Sequence, residues 1–97
     1  MAKRTRTKSD LDQHKRALAR VIANSIAHHQ LTQAEAARRT RDAQSQLSLL
    51  VNGRLRGFSM ERMLRTLSRL GCEVTILVRQ TRSRRGRILI RSGRQRR

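Results

Sequence analysis

Ninety-seven residues without a proline allow one domain with a modest core. One phenylalanine, with no tryptophan or tyrosine, withholds the stacking platforms of most single-strand and RNA-reading sheets. Twenty-four Lys and Arg against six Asp and Glu, a net charge of +18, make nucleic acid the leading partner class ahead of a membrane surface, because neutralised phosphates release counterions.

Charge concentrates at the ends. Residues 1–8 form a basic tail with no acid, and residues 79–97 an arginine-rich tail with nine arginines and no acid. Such ends bury too little apolar surface to offset ordering entropy, so both are expected to be solvated. Ile88-Leu89-Ile90 interrupts the second and makes 87–91 a candidate short strand.

Residues 9–78 are expected to hold the folded domain. From Ser9 to Gln30, Leu11, Leu18, Val21, Ile22, Ser25 and Ile26 recur at helical spacing, with Lys15, Arg16 and Arg20 elsewhere on the wheel. Ser9 is the expected cap, with Asp10 and Asp12 in the first turn, where the helix dipole favours negative charge. His28 and His29 read as last-turn groups rather than metal ligands, since no partner follows at metal-site spacing.

Thr32-Gln33-Ala34-Glu35 is a capping box, in which hydroxyl and carboxylate each take the other residue's backbone N–H. It predicts a helix from Gln33 to about Arg39, whose alanines permit close approach of a neighbour. Thr40 to Asp42 break the pattern. Asp42, or less well Ala43, is the expected cap of a third helix that buries Leu47, Leu50 and Val51 and stops at Asn52-Gly53. Its outward face carries Gln44, Ser45, Ser48 and Leu49, with Gln46 beside them. Two short helices joined by a three-residue turn, the second presenting amides and hydroxyls, describe a helix-turn-helix; a glutamine amide pairs bidentately with adenine N6 and N7.

The residues Leu31-Thr32-Gln33-Ala34-Glu35-Ala36-Ala37, followed at the matching distance by Gln44, Leu47, Leu50, Asn52, Gly53 and Arg54, resemble the Cro and lambdoid-repressor (XRE) helix-turn-helix family. By position, the resemblance implies a phosphate contact at Gln33, a base contact at Gln44, and base or phosphate contacts at Ser45 and Ser48. It also implies a backbone grip by Arg54 and Arg56. Arg41 and Gln46 complete the candidate DNA-binding set. Arg41 stands where the family commonly has glycine, and an arginine tolerates the left-handed backbone poorly, which argues for a reshaped turn.

Phe58-Ser59-Met60-Glu61-Arg62-Met63 starts another helix, with Ser59 as cap and Phe58 stapled onto Met63; its apolar face continues through Leu64, Leu67 and Leu70 until Gly71. Glu73 to Val78 is β-branched and apolar and is expected to be a strand, pairing with Arg87 to Arg91 or with a second copy. The expected fold is therefore mainly α, a four- to five-helix lambda-repressor-like domain with a C-terminal β-strand or hairpin. This stretch looks like HigA-type antitoxins, which implies a homodimer through the terminal strand and two recognition helices roughly 34 Å apart. Cys72, at the corner, is expected to be a buried small residue.

A nucleophile such as Ser45 or Cys72 lacks a base and an orienting group, so no enzyme is expected. A lone cysteine and scattered histidines argue against a disulfide or metal, and no cofactor is expected. No stretch approaches the roughly 20 apolar residues of a transmembrane helix, nor does an apolar signal region follow the basic start; a cytoplasmic, nucleoid location is expected. The expected function is a sequence-specific regulator of double-stranded DNA, of the antitoxin-type autorepressor kind by resemblance. The alternatives are a non-specific nucleoid or RNA-binding protein, and a protein that docks on a toxin or on transcription machinery.

Overall fold

The computed structural model describes residues 6–93, with side chains described from residue 11 onward. Four helices follow in order: α1 (Arg6–His28), α2 (Gln33–Thr40), α3 (Gln44–Val51) and α4 (Met60–Arg69). α1 packs against α4 and α3, and α2 packs against α3 and α4. No helix among the described residues is long and apolar enough to cross a membrane.

The helical spacing in α1 puts Leu18, Ile22 and Ile26 on one buried face. They meet Ala36 and Ala37 of α2, Leu47 and Leu50 of α3, and Phe58, Met63, Leu67 and Leu70 around α4 in one apolar core. Ala36 and Ala37 are buried, and their small side chains let α2 lie close to its neighbours. Phe58 and Met63 are both buried, as a staple across the first turn of α4 requires. Ser59 Oγ accepts the Arg62 N–H at 3.1 Å, and Gly71, at φ +92°, follows the end of α4.

Two helix ends differ from expectation. α1 begins at Arg6, so Ser9 lies inside it rather than capping it, and no acidic residue occupies the first turn. The part of the basic N-terminal tail before Arg6 lies outside the described residues. At the other end Gln30 takes φ +56° and supplies the left-handed stop that glycine usually provides.

The expected C-terminal strand or hairpin is overturned. Among the described residues no strand forms: Glu73 to Val78 and Arg87 to Arg91 have no regular secondary structure and make no ladder. Ile76, Leu77 and Val78 are 72, 75 and 84% exposed. Ile90 instead packs against the core, and the Ile88 carbonyl accepts a hydrogen bond from His14 Nε2 at 3.0 Å. The second apolar triplet is thereby held on α1. β-branched residues favour a strand only when a neighbouring backbone completes the ladder, and none does so within this chain's described residues. Cys72 is half-buried against the core, with Sγ 3.5 Å from Ser25 Oγ.

The turn between α2 and α3 keeps the left-handed conformation despite its arginine. Arg41 sits at φ +66°, ψ +21°, so the reshaping expected at this position does not occur. Neighbouring contacts hold the conformation: the Asp42 N–H donates to Thr40 Oγ1 at 3.3 Å, and Arg69 Nη1 donates to the Thr40 carbonyl at 3.1 Å. Residues other than glycine are strained there, so Arg41→Gly is expected to raise unfolding stability by about 1 kcal/mol, the relief exceeding glycine's greater unfolded-chain entropy. Denaturant unfolding checks this, and a destabilised Arg41→Gly would show the turn to be unstrained.

Candidate nucleic-acid interface

α2 and α3 are short, and each owes its position to local chemistry plus one or two buried anchors. At α2 the capping box is complete: Glu35 N–H donates to Thr32 Oγ1 at 3.1 Å, and Thr32 N–H donates to Glu35 Oε1 at 2.8 Å. The Thr32 backbone bond, then its hydroxyl, with Arg38 and Arg39 adding a smaller attraction, holds the Glu35 carboxyl below its ordinary pKa. The charged carboxylate therefore favours the fold above the ordinary carboxylate range, and that contribution is lost as pH falls through its lowered pKa.

α3 starts differently from expectation. Its cap is Ala43, which makes no side-chain hydrogen bond, and Asp42 has another role. The Asp42 side chain, only 9% exposed, accepts from Arg62 Nη2 on Oδ1 at 3.3 Å and from Thr66 Oγ1 on Oδ2 at 3.2 Å. An ion pair from α4 thus fixes the residue before the cap. Leu47 and Leu50 are fully buried and fix the inner face, while Gln44, Ser45 and Leu49 are exposed. Gly53, at φ +78°, closes the helix, and the Asn52 amide donates to the Ser48 carbonyl at 2.9 Å.

The candidate residues fall into three places. Gln33 is half-buried at the first position of α2. Arg41 is exposed in the turn, and Gln44, Ser45, half-buried Gln46 and half-buried Ser48 follow along α3. Arg54 and Arg56 are exposed in the loop beyond. The surface brings together an uncharged amide and hydroxyl face at the start of α3, with basic residues before and after it. Such a face can donate to and accept from base edges, and its flanks can meet phosphates.

Arg62 was not legible as part of this region. Its guanidinium lies 4.6 Å over the Phe58 ring and donates to Gln46 Oε1 at 3.1 Å as well as to Asp42. These partners are 16 and 20 residues away in sequence, and no short motif signals such a pairing. The described residues contain no group of His, Cys, Asp and Glu able to hold a metal ion. His28 and His29 lie edge to face at 5.2 Å on the surface.

Comparison with known proteins agrees with this arrangement. A family described as a helix-turn-helix domain matches residues 5–79. A solved structure assigned to the XRE family of transcriptional regulators has a TM-score of 0.79 and 32% sequence identity, covering 91% of this chain and 99% of its own. No curated protein matches the chain.

Proposed function

The chain belongs to the XRE-type helix-turn-helix family, and from that premise we propose that it is a sequence-specific transcriptional regulator of double-stranded DNA, with α3 in the major groove. The observation that carries the proposal is the exposed Gln44-Ser45 face at the start of a helix whose opposite side is locked by Leu47 and Leu50. Gln44 reads a base, with Ser45, Gln46 and Ser48 beside it. Gln33, Arg41, Arg54 and Arg56 hold phosphates. The charged ends add affinity that carries no sequence information.

The same proposal includes a homodimer. Ile76, Leu77, Val78, Ile88 and Leu89 are all more than half exposed. That much aliphatic surface along the segment after α4 favours a second copy as its cover. Pairing of two copies would present two α3 helices to successive major grooves, about 34 Å apart, and so to a palindromic site. Autorepression of the antitoxin kind fits a regulator with two such helices, and a regulator of that kind works at the nucleoid.

Gln44→Ala tests the base-reading role. It is expected to cost about 1–3 kcal/mol on the preferred duplex and to relax preference at one base pair per half-site. Competition binding against a random duplex separates the roles. An equal loss on both duplexes would reduce Gln44 to a non-specific contact.

A further inference from the structure

Gln46 lies on the flank of α3 that faces α4, with its side chain half-buried. Arg62 Nη2 donates to its Oε1 at 3.1 Å. A guanidinium has donors only, so the carbonyl end of the Gln46 amide must be the end that faces it. That orientation follows from chemistry alone, because the flipped amide would set two donors against each other. Arg62 is in turn held by Asp42 at 3.3 Å and by the Phe58 ring beneath it at 4.6 Å. Asp42 is fixed by Thr66 at 3.2 Å. Four side chains, Arg62, Asp42, Phe58 and Thr66, thus set which end of the Gln46 amide remains free.

We propose that Arg62 is a positioning residue that turns the donor end of the Gln46 amide outward, so that Gln46 favours a base with an acceptor edge, guanine above the others. A free glutamine amide offers a donor and an acceptor and matches the acceptor–donor edge of adenine. With its oxygen turned to Arg62, Gln46 presents its Nε2 hydrogens on the opposite side. Guanine, whose N7 and O6 both accept, matches that end best; adenine N7 and thymine O4 each offer it one acceptor, and cytosine, which presents only the N4 donor, offers it none. Gln44 has no side-chain partner among the described residues and keeps both ends free. Two glutamines two positions apart on one helix therefore read different bases. This inference rests on the DNA-reading function proposed above.

The test is competition binding on duplexes that carry every single base-pair substitution of the site selected by the wild-type protein from a random pool. Gln46→Ala is expected to lose about tenfold discrimination in favour of guanine at one position per half-site. Arg62→Lys, which keeps a cation but whose shorter side chain lacks the Nη2 nitrogen that donates to both Gln46 and Asp42, is expected to relax the same position and no other. Gln46→Glu keeps Arg62 engaged and presents an acceptor, so preference at that position is expected to move from guanine to cytosine. It alters only a half-exposed side chain, and it tests the inference even if Arg62→Lys unfolds. Variants of Gln46 and Arg62 that affect different positions, or that weaken all duplexes equally, would overturn the inference while leaving the proposed function standing. A wild-type protein that selects no site would overturn both.

Discussion

Leu50→Ala is expected to lower unfolding stability by about 2–5 kcal/mol, the range for truncating a fully buried leucine in a core that cannot collapse around the gap. Leu50 has no exposed surface and sits in the core formed by all four helices. A domain of this size holds on the order of 5 kcal/mol in total, so the variant should be largely unfolded well below the wild-type melting temperature. Leu49, its neighbour in sequence, is 39% exposed, and Leu49→Ala is expected to change stability by about 0.5 kcal/mol or less. Denaturant unfolding of the pair checks the rotation of α3 about its axis. Equal costs for the two leucines would mean that α3 does not bury the face described, and the outward placement of Gln44 and Ser45 would fall with it.

The second large effect is electrostatic. Arg82, Arg84, Arg85 and Arg87 are exposed between the two apolar triplets, and none forms an ion pair among the described residues. Each phosphate that an arginine neutralises adds about 0.9 to the slope of log affinity against log salt, so replacing all four by Gln is expected to flatten that slope by about 3.6. Affinity at low salt should fall on the order of a hundredfold, with base preference unchanged. Core residues and helix caps are untouched, so stability should hold. Titrations at several salt concentrations check this, and an unchanged slope would show that these arginines do not meet phosphate.

What was legible in the sequence was local. Thr32 and Glu35, and Ser59 with the Arg62 backbone, lie three residues apart, and capping needs no information beyond that spacing. The core stripe of α1 from Leu18 to Ile26 and the buried pair Leu47 and Leu50 follow from helical periodicity, although Leu11, expected on the same stripe, is 44% exposed. The misreadings involve competition or distance. Asp42 is a good capping residue by type, yet an arginine 20 positions later takes its carboxylate and leaves Ala43 at the cap. Arg41 adopts a backbone that its side chain disfavours, because Thr40, Asp42 and Arg69 hold the turn from three sides. Glu73 to Val78 has strand composition, but a strand requires a partner, and Arg87 to Arg91 is drawn to α1 by Ile90 and His14. The candidate contacts along α2 and α3 were readable from a resemblance in residue spacing; the orientation of Gln46 required Arg62, which no local pattern reveals.

In the function proposed here, α3 reads sequence while the charged ends supply affinity. Selection of bound duplexes from a random pool at two salt concentrations tests that division most directly. The expected result is one consensus with two related half-sites about one helical turn apart, unchanged in sequence at the higher salt although binding weakens. Recovery of duplexes without a consensus, with binding that simply fades as salt rises, would contradict it and leave a protein held to nucleic acid by charge alone.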